Sequence, residues 1–257
     1  MFGDAEKRVF QEYVPIRKFT PMVSDCWDYF DRVYCISIDT REDRRAEARA
    51  QFEKVGLSGR VEFVVGKKHP ADSEQGIYES HMACIGKGIS AEAQTILIFE
   101  DDVVFDRFEA DRLREAVAFL STNPWDVLFF GCLVGKIRKT SCHSVVRIRC
   151  RCLAHAYVLH RGFAETLVKT EWNGTPFDNY LASFEDKMYM MFPSFAFQND
   201  SASDNEKCAR LDKVRRFFGG FQRIQKRNEF CYYHEPVMIV LNILMILIIG
   251  GILWWLL

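Results

Sequence analysis

What the sequence lacks narrows it first. It has almost no net charge: 34 Lys and Arg stand against 35 Asp and Glu, leaving -1 over 257 residues. That balance gives no global electrostatic case for nucleic acid as a partner. Nine cysteines are present, but no Cys-x-x-Cys pair occurs, and an odd number cannot all pair within one chain. They read as mostly reduced thiols in a cytosol-like compartment. There is no Gly-x-x-x-x-Gly-Lys loop to support a P-loop phosphoryl enzyme. No apolar run follows the polar start Met1 to Arg8, so no secretory signal is expected there. Internal repeats and low-complexity tracts are also missing.

What is present begins with an acidic stretch, Thr95-Ile96-Leu97-Ile98-Phe99-Glu100-Asp101-Asp102-Val103-Val104-Phe105. An unbroken apolar run that ends abruptly in charge reads as a strand buried on both faces. The triplet then falls at the strand's carboxyl end, where open α/β sheets bind ligands. Three adjacent carboxylates repel one another, so folding alone gives little reason for them. A divalent cation, Mg²⁺ or Mn²⁺, holding a diphosphate gives one. A solvated turn that caps a helix over Asp106 to Leu120 is the plainer alternative.

The length fits one α/β domain plus an extension, and the 49% hydrophobic content is enough for a full core. Residues 1–30 show no period and read as an irregular lead-in, broken by Pro15 and Pro21. Val33 to Ile38 reads as a strand. Thr40 with Asp43 has the form of a capping box and starts a helix that runs to about Val55, where Gly56 stops it. Strand, polar turn and helix make the first βα unit of a nucleotide-binding fold. Arg41 and Arg44 stand where they reach a nucleotide or diphosphate, or else pair with Glu42 and Glu47 on the surface. Val61 to Val65 is a second strand, and a helix covers Gln75 to about Ser90. Asp126 to Phe130 is another short strand. Ser144 to Leu153 alternates Val146, Ile148, Cys150 and Cys152 with Arg147, Arg149 and Arg151, which predicts a half-exposed antiparallel strand. Cys142, His143, Cys150, Cys152 and His155 carry zinc-type donors without matched spacing, and core packing of the strand thiols is simpler. A strand over His155 to Leu159, a helix over Arg161 to Thr170 and a helix start with Asp178 in its first turn follow. Ser194 to Phe197 is strand-like.

From Pro236 to Leu257 the one strongly polar side chain is Asn242. About 20 apolar residues suffice to cross a bilayer as one helix, and Trp254 and Trp255 suit an interfacial belt. Lys213, Arg215, Arg216, Arg223, Lys226 and Arg227 precede it, so the positive-inside rule puts the main domain on the cytoplasmic side. The basic segment from Val214 to Phe230 is expected to lie on the anionic leaflet or to be a solvated helix. The division is therefore 1–30, a domain over 31–205, a juxtamembrane segment over 206–235 and a membrane helix over 236–257.

Several stretches resemble one family in the same order: Asp43-Arg44-Arg45 after the first strand, Gly76-Ile77-Tyr78-Glu79-Ser80-His81, Ile98-Phe99-Glu100-Asp101-Asp102-Val103, His155 to Leu159, Pro176 to Leu181, and Pro193 to Gln198 with Ser203-Asp204. Together, over about residues 31 to 205, they resemble the glycosyltransferases of family 25, the lipooligosaccharide and collagen galactosyltransferase type. Two features depart from the family pattern: the loop between Val65 and Gly76 is short, and Ile77 stands where the family has a cysteine. The resemblance implies a GT-A-type, Rossmann-like nucleotide-sugar-binding domain, here followed by the transmembrane helix. It implies inverting transfer of a sugar, commonly galactose, from a nucleotide sugar such as a UDP-sugar to an acceptor hydroxyl. The acceptor would be a glycan, a lipid-linked glycan or a protein.

The leaving diphosphate needs a Lewis acid, which Mn²⁺ or Mg²⁺ on Asp102, with Glu100 or Asp101 beside it, would supply. Inversion needs a general base, and Asp178 leads Asp204 for that role. Arg41, Arg44, Ser80, His81, Glu100, Asp101, His155 and Gln198 would contact the donor. A different class stays open: a transferase-like binding or scaffold protein at a membrane that has lost turnover. The intact carboxylates argue against it.

Overall fold

The structure, a computed structural model, describes residues 25–184, 186–199 and 219–256. Asp204, Ser203 and most of the expected lead-in lie outside those residues. The chain builds a mixed α/β domain whose eight-stranded sheet has the order β2-β1-β3-β8-β5-β9-β7-β6. The strands are β1 (Arg32–Ile38), β2 (Val61–Gly66), β3 (Thr95–Glu100), β5 (Val127–Phe129), β6 (Leu133–Lys139), β7 (Val145–Cys152), β8 (Ala156–His160) and β9 (Met188–Met191). Two further strands, β4 (Val103–Phe105) and β10 (Ala196–Gln198), form a separate antiparallel pair. β1 runs parallel to β2 and β3, and β5 parallel to β9; β8 is antiparallel to β3 and β5.

β3 is central because its side chains fill both faces. Leu97 and Phe99 pack on one side with α1 (Glu42–Lys54) and α3 (Ala110–Leu120). Ile96 and Ile98 pack on the other with α2 (Ser73–Ser90), α4 (Arg161–Leu167) and α5 (Phe177–Ala182). Each such fully buried side chain contributes about 2 kcal/mol relative to exposure. The alternating strand is there as expected: Val146, Ile148 and Cys150 are buried while Arg149 and Arg151 are exposed. It pairs antiparallel with β6 and β9.

Three expectations change. Helix α1 starts without a capping box: Arg41 takes the N-cap position with no side-chain cap bond, and Asp43 turns instead to the Arg41 guanidinium at 2.9 Å. The end of the lead-in is core, since Trp27 is 1% exposed and its Nε1 donates to Val55 O at 2.7 Å. The stretch before the apolar tail is docked on the domain. There α6 (Gly220–Tyr233) lies against β6 and β10. The Asn228 amide donates to Val134 O and accepts from Val134 N, standing in for a further strand at that edge. Gln225 donates to Ala196 O, Glu229 accepts from Ser194 N, and Gln222 and Lys226 reach Asp106. A helix whose polar residues are used this way is not lying free on a lipid leaflet.

Helix α7 (Glu235–Leu256) follows for 22 residues. Among the described residues no single helix is long and apolar enough to cross a membrane; α6 and Glu235–Ile249 satisfy that test as a pair, bent by 90° at the break. From Ile239 to Ile249 the apolar side chains are exposed on every face of the helix.

Candidate active site: a carboxylate cleft

A cleft of about 590 Å³ opens at the carboxyl ends of β1 and β3. The loop after β2 closes one side, the start of α2 another, and Cys152 to His155 with the start of α5 a third. β8 is antiparallel to β3, so its first residues come to the same end, and Glu100 N donates to His155 O at 2.9 Å. Gly76 lets the β2–α2 loop fold back on α2: a Cβ there would stand 2.8 Å from His69 Cβ. The helix is capped by Asp72, whose side chain accepts from Glu74 N at 2.9 Å.

Glu100, Asp101, Asp102 and Asp178 all face this cleft. Arg44 is buried beside them, its Nη1 3.3 Å from Asp101 Oδ1 and 3.7 Å from Asp102 Oδ2. One cation does not offset so much negative charge. Burial, and then the Glu100 charge, pushes the Asp102 carboxyl up to about 7. Burial, followed by Asp178 and Asp101, pushes Glu100 up to about 8. Asp102 Oδ2 accepts from Gln198 Nε2 at 3.0 Å, while its Oδ1 is buried with no hydrogen-bond partner.

His81 is wholly buried, and burial pulls it down to about 4, so it is neutral at pH 7. Its Nδ1 lies 2.8 Å from Tyr157 Oη. Its Nε2 stands 3.3 Å from Glu100 Oε1, close enough for attraction but off hydrogen-bond geometry. When Glu100 is ionised, its carboxylate facing Nε2 favours the tautomer protonated there, with Nδ1 accepting from the tyrosine. His155, also held near 4 by burial, directs Nε2 to Ala196 O at 3.2 Å; its Nδ1 has no partner. Ser80 lines the cleft, but its hydroxyl donates to Gly76 O at 2.7 Å within α2.

Asp178 has a task that its sequence context did not reveal. Its Oδ2 accepts from Leu153 N at 2.8 Å. Leu153 is a non-glycine residue at φ 74°, in the left-handed region, where a side chain costs about 1–2 kcal/mol. Asp178 thus holds a strained turn against the cleft.

The cleft therefore collects Arg44, Ser80, His81, Glu100, Asp101, Asp102, His155, Asp178 and Gln198. Arg41 is not part of it; its side chain pairs with Asp43. Sequence reasoning missed Lys67, Lys68 and Asn199, which also line it. The signal was there for the lysines, which follow a strand directly.

Among the described residues no three His, Cys, Asp or Glu side chains stand together to hold a metal by themselves. The donor set suits a different arrangement. Mg²⁺ or Mn²⁺ commonly takes one or two carboxylates and draws its remaining oxygens from substrate phosphates and water. The unpartnered Asp102 Oδ1, with Glu100 near it, fits that mode.

No family model and no curated protein matches the chain. Among solved structures, a protein from STIV has a TM-score of 0.43 at 13% identity over 65% of this chain and 85% of that one. A glycosyltransferase involved in glycosylation of the major capsid of PBCV-1 has 0.39 at 9% identity, over 71% of this chain and 99% of that one. An apo UDP-glucose pyrophosphorylase has 0.39 at 11%, over 72% and 82%. At TM-scores below 0.5 these likenesses carry no argument about activity. The resemblance to family 25 thus rests on the motif order alone, and the case for function is carried by the cleft.

Proposed function

We propose that the chain is a membrane-anchored, metal-dependent glycosyltransferase that moves a hexose, galactose or a close relative, from a UDP-sugar to an acceptor hydroxyl with inversion. The observation that carries this reading is Asp102. It is a buried carboxylate with an unpartnered oxygen, at the end of a central strand, in a cleft large enough for a nucleotide sugar. Folding gains nothing from that oxygen, which costs about 1–3 kcal/mol while unpaired; a ligand gives it a purpose.

In this reading Asp102 and Glu100 would hold Mn²⁺ or Mg²⁺, which would supply positive charge to the leaving diphosphate. Arg44 holds Asp101 and Asp102 in place and adds positive charge at the donor. Lys67 and Lys68, at the mouth, attract the phosphates. The neutral His81 presents a fixed N–H beside Glu100. Asp178 orients the acceptor hydroxyl and takes its proton through the oxygen that Leu153 leaves free. Asp204 keeps its place as the second choice for the base.

The apolar helix α7 is the anchor, with the catalytic domain on the cytoplasmic face. Its support is the exposure of apolar side chains on every face, which in water would leave a very large hydrophobic surface uncovered. The acceptor is then a lipid-linked glycan, or a protein or glycan at that face. Calorimetry of UDP binding to the full chain in detergent tests the donor site. The reading expects binding that needs Mn²⁺ and is lost in Asp102→Asn. Equal binding in chelator would contradict the metal role, and no binding at all would contradict the donor site.

A further inference from the structure

Helix α6 has two sides, and the domain uses one of them. Gln225 and Glu229 are buried there. Phe221 stands four residues before Gln225 and shares that side, and it lines the cleft. Lys226 also turns to the domain, pairing with Asp106. Arg223, Arg227 and Phe230 lie at spacings of four and three residues, which sets them together on the opposite side, about 150° around the helix from Gln225 and Glu229. All three are exposed, Phe230 by 57%. Among the described residues neither arginine is paired with a carboxylate. The stripe ends beside His234, whose ring lies 4.7 Å from that of Phe230, one residue before α7 begins.

The bend between the two helices supplies the second observation. Glu235–Ile249 leaves α6 at 90°. A bilayer crossed by α7 therefore runs parallel to the axis of α6. The domain covers one side of α6, so the leaflet meets the other, where the two arginines and Phe230 stand. That combination suits a headgroup layer: guanidinium groups bind phosphate oxygens, and an exposed aromatic ring settles at the boundary of headgroup and acyl chain. The corner is fixed, because Tyr233 stacks on Phe192 at 3.8 Å and Asn228 is bonded to the edge of the sheet at Val134.

We infer that α6 is a spacer held between the domain and the bilayer, its Arg223, Arg227 and Phe230 face lying on the phospholipid headgroups. The inference rests on the anchor reading above. It leaves α6 neither free on a leaflet nor free in water, since each side has its own partner. The consequence for function is position. Phe221, on the domain side, stands about one helix diameter, roughly 10 Å, above the headgroups. Fourteen residues separate it from Glu235, so the cleft lies about 20 Å to the side of the anchor. A tilt of about 20°, usual for spanning helices, moves the cleft by only about 7 Å in height. An acceptor carried by the membrane therefore meets the site when its hydroxyl stands about that far above the surface.

The test uses the full chain in phosphatidylcholine nanodiscs. The photoreactive residue p-benzoylphenylalanine replaces one side chain at a time: Arg223, Arg227, Ile243 within α7, or the exposed Glu53, beside the edge strand β2 at the far end of the sheet from β6. After irradiation, phospholipid adducts at each position are measured by mass spectrometry. Adducts at 223 and 227 are expected at a yield at least about fivefold above that at 53, as for residues on the lipid side of an interfacial helix. Position 223 decides most, because it stands about 18 Å along α6 from the start of α7. A yield there no higher than at 53, while 243 forms adducts, overturns the docking of α6 and leaves the anchor standing. No adducts at 243 overturns the anchor, and the docking with it. Cross-links from 223 to a second copy of the chain in place of lipid assign the face to self-association and overturn the inference.

Discussion

His81 lies flat on the ring of Phe177, the centroids 4.0 Å apart and the planes 3° from parallel. That contact joins α2 to α5, and it locks the imidazole so that its two nitrogens meet Tyr157 and Glu100. The helix that brings His81 and the helix that brings Asp178 are thereby fixed to one another across the cleft.

Removing the tyrosine hydroxyl isolates one end of this arrangement. In Tyr157→Phe, Nδ1 of His81 stays buried without its partner. A stability loss of about 1–3 kcal/mol is expected in urea denaturation. Tyr157→Phe combined with His81→Leu should recover part of that loss, because both polar partners are then gone. A double variant less stable than the sum of the singles would contradict the pairing.

Gly131 marks a close approach of backbones below the site. A Cβ placed there would fall on Ala196 O and on Gln225 Nε2. Ala196 O also accepts from His155 and from Gln225. Gly131→Ala is therefore expected to cost about 1–3 kcal/mol or more from overpacking, read as a lower denaturation midpoint. It should also loosen α6, read as faster amide exchange around Asn228. An unchanged midpoint would mean that the three segments are less closely packed than described.

Asp126 gives a pH signature away from the cleft. Burial pushes its carboxyl up to about 6, partly offset by Lys187 and reinforced by Asp186. The same burial, together with Lys187, holds the nearby His160 below its ordinary value. An acid whose folded value lies above its unfolded one retains its proton longer in the folded state. Its contribution to stability therefore falls as pH rises from about 4 to about 6 and is flat above. Discounted for partial exposure, the cost at neutral pH is roughly 1 kcal/mol. Asp126→Asn should melt higher than the parent at pH 7 and equal to it near pH 4. A variant that melts lower at pH 7 would show that the carboxylate is stabilising instead.

The proposed anchor has its own test in topology. With the domain on the cytoplasmic face, protease added to intact inside-out membrane vesicles is expected to digest it, leaving a protected fragment that includes α7. Alkaline carbonate should fail to extract the chain. Digestion of the domain only in right-side-out vesicles would put it on the opposite face.

Much of this was legible in the sequence because it depended on local pattern. The apolar run over Ile96 to Phe99 is a central strand, the alternation of Val146, Ile148 and Cys150 with arginines is an antiparallel strand, and Gly56 ends α1 at φ 77°. The Glu100-Asp101-Asp102 triplet reaches the cleft for a simple cause: it stands at the carboxyl end of a central strand. What stayed hidden depends on partners remote in sequence. Nothing near Asn228 announces that its amide completes the edge at Val134, 94 residues away. Trp27 lacks any period that ties it to Val55. Arg41 and Arg44 look equivalent in sequence, yet the turn of α1 sends Arg44 to the carboxylates and Arg41 to Asp43. The strand β6 went unseen because its pattern, Leu133-Val134-Gly135-Lys136-Ile137-Arg138-Lys139, is interrupted by a glycine and by register shifts.

The most direct test of the account is nucleotide-sugar turnover by the full chain in detergent. Release of nucleoside diphosphate is followed across a panel of UDP-hexoses and other nucleotide sugars, with Mn²⁺, with chelator, and in Asp102→Asn. The account predicts release from one donor that needs the metal and falls by at least about 100-fold in the variant, the scale of losing a principal electrostatic contact to the leaving group. Release that survives both chelator and Asp102→Asn, or no release from any donor by a folded protein, would contradict it.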